Sequence, residues 1–371
     1  MTKSDGLIEI LKEPRAKNKE IAIVGHQNAC PDEMASMLLF EKIAESQGIN
    51  PASLKFYTAM RGKQYNSSMA VLAATKLELK DPSEIKEEYV VVLDTTSRRY
   101  ACLPKHVKDN VIAVVESSAA PYADTEKKDS NDSDVLAVID HHAAAPGDDF
   151  IHGKFEDIRK TASCASILYE YLTSPSINWK IDKKDELERK LATAMVFGLF
   201  VDTGNPAGLT RLNLPSEDWK MLNDVREIYD AEFIANVGKK DYDISLYMKL
   251  RDGDLLSLCD GRHQVLLYPK AEDDITLSQM ANVATWFGGL DTFMLLAPLS
   301  KEIDGKKYSL KGRSLSQQIS IVNLMNSVFP NDTGAIRGRR EMGGGYISNT
   351  PQIYEITERV QDFDRKIGFK K

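Results

Sequence analysis

Three short runs in this chain are apolar at every position: IAIV from Ile21, YVVVL from Tyr89 and VLAVI from Val135. A strand with one wet face alternates apolar and polar residues, whereas a strand apolar throughout is covered on both faces. Such strands belong to parallel sheets whose crossover helices pack on either side. Segments of helical period separate them, at Glu33–Glu45, Tyr65–Thr75, Thr161–Leu172, Asp185–Phe200 and Ser216–Tyr229. Further strands are predicted at Leu54–Thr58 and Val111–Val115. The stretch SSAAPYADTEKKDSNDSD, residues 117–134, is polar and charged, which predicts a mobile surface loop.

The pattern weakens between Tyr229 and Asp254, and a domain boundary is expected there. A smaller α+β pattern follows. Gln264–Pro269, Phe293–Pro298 and Lys306–Lys311 are predicted strands, Leu277–Trp286 and Gln318–Val328 predicted helices, and RGRREMGGGYIS is a glycine-rich basic tail. The fold class expected is α/β: a mostly parallel sheet in an N-terminal domain over residues 1–235, with a smaller α+β domain over 250–371 across a cleft.

In open α/β sheets, ligands bind beyond the carboxyl ends of the strands. Here those ends carry donors. The first strand is followed by His26, Cys30 and Asp32 in GHQNACPDEMAS, the third by Asp94 in VVVLDTTS, and VLAVI by Asp140, His141 and His142. A later apolar helix, LATAMVFGLF, runs into Asp202. Carboxylates and imidazoles gathered on one rim suit manganese, iron or zinc, and a carboxylate shared by two ions is a common basis for hydrolysis.

The ordered set His26…Asp32, Asp94, Asp140-His141-His142 and Asp202 resembles the DHH phosphoesterase superfamily over roughly residues 15–230. SLKGRS (Ser309–Ser314) and EMGGGY (Glu341–Tyr346) resemble its associated C-terminal domain, as in oligoribonuclease, phosphoadenosine-phosphate phosphatase and cyclic dinucleotide phosphodiesterase members. The resemblance implies two divalent metal ions, normally manganese. His26 would hold the first and Asp32 the second; Asp94 would bridge them, and His141 and Asp202 would complete the second site. Asp140 would orient His141, and His142 would face the phosphate. Lys311, Arg313, Arg339, Arg340 and the backbone of Gly343, Gly344 and Gly345 would grip the substrate.

This chain departs from the family pattern in three places. Cys30 stands where the family has aspartate; as a thiolate ligand it would favour zinc or iron. Tyr346 stands where the family has histidine, and the segment between Asp94 and Asp140 is long. The implied activity is hydrolysis of small nucleotides such as short oligoribonucleotides, dinucleotides or phosphoadenosine phosphate. A catalytically weakened nucleotide-binding relative is one alternative, and a pyrophosphate or polyphosphate hydrolase another.

The net charge of −7 argues against a broad grip on long nucleic acid. Four scattered cysteines without a C-x-x-C pair, a charged N-terminus and no long apolar run point to a cytoplasmic protein away from membranes. A homodimer is expected at the family level.

Overall fold

The computed structural model describes residues 2–26, 29–60, 64–95, 103, 111–118, 138–141, 151, 155, 157, 161–203, 214–242, 244–285, 290–303, 305–316, 318–338 and 342–368. For residues 111–118 and 138–141 it describes the backbone alone. The chain divides into two compact units, which succeed one another in sequence at Lys240 and Asp241.

The first unit holds strands β1 (Ile21–Val24), β2 (Leu54–Tyr57), β3 (Leu79–Lys80), β4 (Tyr89–Leu93), β5 (Val111–Ser118) and β6 (Val138–His141). They form one sheet in the order β3-β2-β1-β4-β5-β6, with every pairing parallel. Its helices are α1 (Lys3–Lys17), α2 (Pro31–Ser46), α3 (Asn66–Thr75), α4 (Cys164–Leu172), α5 (Glu186–Asp202), α6 (Ser216–Val225) and α7 (Ala231–Asp241). Both sheet faces are covered, as the unbroken apolar runs require. Ile21, Ile23, Val91 and Leu93 join the larger core with residues of α2, α4 and α5. Ala22, Val24, Val90 and Val92 join Tyr57, Ile85 and Ile151 on the other face.

The topology reverses beside β1. The chain runs outward through β2 and β3, then returns to the opposite side of β1 for β4, β5 and β6. Val24 is level with Val92, so the carboxyl ends of β1 and β4 flank the switch point, where open α/β sheets place ligands.

Helix α2 starts directly after β1. The Cys30 thiol accepts the Glu33 N–H at its N-terminus, Pro31 occupies the first turn, and Asp32 and Glu33 set negative charge there. Helix α5 crosses α2 closely because of Gly198: a Cβ there would stand 2.6 Å from the Asp32 Cα. Asp202 lies one turn beyond Gly198, at the last residue of α5.

The second unit contains α8 (Ile244–Leu250), β7 (Asp254–Leu258), β8 (His263–Leu267), α9 (Asp274–Ala284), β9 (Thr292–Ile303), β10 (Lys306–Ser314), α10 (Ile321–Val328), β11 (Ile336–Gly338), β12 (Met342–Ile347) and α11 (Ile353–Lys366). Its sheet runs β11-β12-β10-β9-β8-β7, with β8 and β9 parallel and the other pairs antiparallel. Leu277, Met280 and Ala281 of α9 pack on Leu266, Phe293, Leu295 and Ala297. Residues of α10 and α11, among them Ile321, Leu324, Ile356 and Val360, cover the other face over Met294, Leu296 and Leu310.

Several elements differ from the sequence expectation. The segment around Tyr229–Asp254 is helical in α7 and α8. Helix α6 stops at Val225 rather than Tyr229. Met342–Ile347 forms a strand, β12, rather than a tail. Ser117 and Ser118 belong to β5, while the rest of the expected loop at 117–134 lies outside the described residues, as does Trp286. Among the described residues, no helix is long and apolar enough to cross a membrane.

Candidate metal centre

The turn after β1 is tied down before it delivers a side chain. The Gly25 N–H bonds the Tyr57 carbonyl at 2.9 Å, and the Thr58 hydroxyl donates to the His26 carbonyl at 2.6 Å. His26 Nε2 then stands 3.3 Å from Asp94 Oδ2 and 3.5 Å from Glu33 Oε2. The Cys30 thiol donates to the same Asp94 Oδ2 at 3.4 Å. Donor atoms of His26, Cys30 and Asp94 all lie within 4.8 Å of one another. Asp94 itself has φ 60, the left-handed region that aspartate tolerates better than most residues. That turn at the end of β4 carries its carboxylate to the rim.

Burial dominates the electrostatics of the cluster. Cys30, Asp32, Glu33 and Asp94 are all buried. Burial pushes the Cys30 thiol well above its usual range, and Asp94, Asp202, Asp32 and Glu33 push it further. Asp32 is raised by burial and then by Asp202 and Asp94, against two backbone hydrogen bonds that lower it. Burial lifts Glu33 to about 7; His26 opposes the shift and Asp94 adds to it. Among the described residues, no lysine or arginine forms an ion pair with Asp32 or Glu33. Buried acids beside an imidazole and a thiol suit a divalent ion.

Not every expected ligand faces this point in the same way. Asp32 accepts the Cys164 N–H at 2.7 Å on one oxygen and the Ala165 N–H at 3.1 Å on the other. It thus holds the N-terminus of α4, whose partial positive charge favours a carboxylate. Asp202 lies near enough to shift Asp32 but is placed by a different helix. Asp140 and His141 sit in β6 with only their backbone described, and His142, Arg339 and Arg340 lie outside the described residues. Glu33 was not anticipated from sequence. An acid in a helix's first turn is ordinarily a dipole partner; the available signal was its i+3 spacing from Cys30 after a glycine-led turn.

In the second unit, Ser309, Lys311 and Arg313 alternate along β10 and therefore share one face with Tyr346, Gly344 and Met342 of β12. Helix α9 engages that face. Lys311 Nζ bonds Asp274 Oδ2 at 2.6 Å, Ser309 bonds its other oxygen at 3.1 Å, and Tyr346 adds a bond. Arg313 bonds Asn282 at 2.5 Å and the Ser278 carbonyl at 3.3 Å. Gly344 leaves room for the lysine, since a Cβ there would stand 3.3 Å from Lys311 Cδ.

Desolvation would raise the Asp274 carboxyl, but Lys311, Ser309 and Tyr346 outweigh it and hold it below the usual carboxylate range. A depressed acid contributes stability above its unfolded pKa, and that stability is lost as pH falls through the folded value. Lys311→Met is therefore expected to cost about 1 kcal/mol at pH 7, because Asp274 keeps part of its solvent contact. The cost should shrink below about pH 4. Urea unfolding at pH 7 and pH 3 checks this; an equal cost at both values contradicts it.

A second donor group, Cys259, His263 and Asp364, is differently disposed. His263 is fully buried, bonded through Nδ1 to Thr292 at 2.7 Å and through Nε2 to Asp364 at 2.9 Å. The other Asp364 oxygen takes Arg262 at 2.8 Å. These bonds tie α11 to β8, and each ring nitrogen and carboxylate oxygen has a protein partner.

Residues 20–199 match the family model described as DHH family, N-terminal domain. Over these residues the chain is similar to a DHH-family N-terminal domain. Asp202 and the second unit lie beyond the matched residues. No curated protein matches the chain. Among solved structures, the chain is similar to an exopolyphosphatase-related protein from Bacteroides fragilis, at 12% identity over 97% of each chain and a TM-score of 0.60. That likeness is one of fold. Looser similarity extends to a putative family II inorganic pyrophosphatase from Methanococcus jannaschii, at 12% identity over 92% of this chain and 98% of that one, TM-score 0.40. Exonuclease RecJ bound to manganese is 13% identical over 97% of this chain and 94% of that one, TM-score 0.41.

Proposed function

We propose that this chain is a DHH-family enzyme, a divalent-metal-dependent phosphoesterase of small nucleotides. The observation that carries the reading is the convergence of His26, Cys30 and Asp94 at the switch point of the parallel sheet. The residues fit a metal: buried oxygen and sulfur donors lie beside a part-buried imidazole, and burial raises the acids and the thiol. His26, Cys30 and Asp94 would hold one ion, with Asp94 shared toward a second held by Asp32, His141 and Asp202. Bound there, divalent ions lower the pKa of water and offset phosphate charge.

The chain's own residues set up that chemistry. The Thr58 hydroxyl, bonded to the His26 carbonyl, fixes the turn that presents the imidazole. Helix α4 keeps Asp32 rigid at the rim. The buried strand ends exclude bulk water, so each charge interaction counts for more than on the surface. Lys311 and Arg313, held by α9, supply cationic donors for a substrate phosphate, as do Arg339 and Arg340. The negative net charge favours a short anionic substrate over a long duplex.

A second reading is a nucleotide-binding relative with little turnover. Two observations favour it: Cys30 donates as a neutral thiol to Asp94, and both Asp32 oxygens already accept backbone hydrogen bonds. The two readings separate in one assay. Dinucleotides, short oligoribonucleotides, 3'-phosphoadenosine 5'-phosphate and pyrophosphate are each incubated with manganese, zinc or iron(II). The phosphoesterase reading expects release of mononucleotide or phosphate from a nucleotide substrate, abolished by a chelator. Tight nucleotide binding without turnover under every metal would establish the second reading. Cleavage of pyrophosphate alone would replace both.

A further inference from the structure

We infer that Asn282 is a positioning residue that aims Arg313 at a substrate phosphate, with Tyr242 holding the amide in place. The inference rests on the assignment of Arg313 to the substrate in the reading above and adds to it two residues outside the expected set. Helix α9 and strand β10 meet along two matched stripes. Asp274, Ser278 and Asn282 recur every fourth residue and so share one face of the helix. Ser309, Lys311 and Arg313 recur every second residue and share one face of the strand. Asp274 takes Ser309 and Lys311, while the Ser278 carbonyl and Asn282 take Arg313.

The two cations are met by different chemistry. Lys311 faces a carboxylate oxygen at 2.6 Å. The Arg313 guanidinium donates from Nε to Asn282 Oδ1 at 2.5 Å, from Nη1 to the Gly312 carbonyl at 2.8 Å and from Nη2 to the Ser278 carbonyl at 3.3 Å. These three acceptors carry no net charge, so they set the plane of the guanidinium without opposing its positive charge. A preset plane is what bidentate binding of a phosphate needs, since less rotamer freedom is then lost on binding. The orientation of the Asn282 amide is itself determined. Nε–H can only donate, so the amide turns its oxygen toward Arg313 and its nitrogen away. That nitrogen donates to the Tyr242 hydroxyl oxygen at 3.0 Å. Asn282 is buried, and Tyr242 packs against the apolar core that includes Met280 and Ala281 of α9. The chain of contacts from Tyr242 through Asn282 to Arg313 thus runs from packed core to cation.

A double-mutant cycle separates positioning from support of the fold. Binding of adenosine 5'-monophosphate and of adenosine to the full chain is measured by calorimetry in manganese-containing buffer. Wild type is expected to prefer the monophosphate, and Arg313→Met to lose most of that preference. Asn282→Leu, close in volume, is expected to weaken monophosphate binding by about tenfold and to leave adenosine binding unchanged. In an Arg313→Met background the same substitution should have no further effect, because Asn282 then has no cation to aim. Should Asn282→Leu lack native circular dichroism, Tyr242→Phe takes its place, with an expected loss of about threefold that likewise vanishes without Arg313. Unchanged monophosphate affinity in the folded variant, or an equal loss with and without Arg313, overturns the inference. So does a wild type that binds neither ligand or both alike, or one whose preference survives Arg313→Met. None of these results touches the metal-dependent phosphoesterase reading, which the turnover assay decides. Conversely, a positive cycle in a chain that cleaves no nucleotide with any metal keeps the role of Asn282 and removes that reading.

Discussion

Asp94→Asn is expected to lower nucleotide hydrolysis by well over about a hundredfold, more than the loss of a residue that only orients a metal ligand. It should do so without unfolding the protein. Asparagine is nearly isosteric and adopts the left-handed backbone of position 94 as readily as aspartate. The charge it removes is the one closest to both His26 Nε2 and the Cys30 thiol. In the metal-free protein that charge is a burden, because it raises both Asp32 and Cys30. The metal-free variant should therefore melt no lower than metal-free wild type, while the increase in melting temperature on adding metal should largely vanish. Turnover and melting curves with and without chelator test both halves. A variant that loses stability but keeps turnover would show Asp94 to be structural.

Gly198→Ala is expected to destabilise the first unit by about 2–3 kcal/mol. Helix propensity alone predicts the opposite sign, since alanine is favoured over glycine by about 1 kcal/mol inside a helix. Geometry decides the outcome. The new methyl would meet Asp32 backbone atoms at 2.6 and 2.8 Å, and backbone cannot rotate away as a side chain can. Helices α2 and α5 would have to separate, carrying Asp202 away from Asp32. Urea unfolding gives the stability change, and metal affinity should fall with it. A neutral or stabilising alanine would mean that the two helices do not cross as closely as described.

Much of the fold was legible because burial on both sheet faces leaves an unmistakable pattern. IAIV and YVVVL have no polar position, and the structure covers each on both sides. Elements without such a pattern were not legible. Helix α1 is rich in charge and contains Pro14; it is held by a capping box between Thr2 and Asp5 and by a left-handed Asn18 at its end. Strand β12 is hidden in a glycine run that resembles a loop. Its glycines serve close approach: a Cβ on Gly345 would fall 2.1 Å from the Ala335 carbonyl oxygen.

The candidate site divides along the same line. His26, Cys30 and Asp94 follow strand ends, so topology brings them together once the strand order is known. Glu33 takes its place from the burial of its side chain and the shape of the turn at Gly25, to which its i+3 spacing from Cys30 was the one pointer. Asp274 and Asn282 meet Lys311 and Arg313 through packing of α9 on β10, far apart in sequence.

Anomalous X-ray diffraction from crystals grown with zinc or manganese tests the central claim most directly. The account predicts a peak within bonding distance of His26 Nε2, the Cys30 thiolate and an Asp94 oxygen. A space among those side chains occupied by a lysine or arginine, or one that stays without a peak at saturating metal, would contradict it.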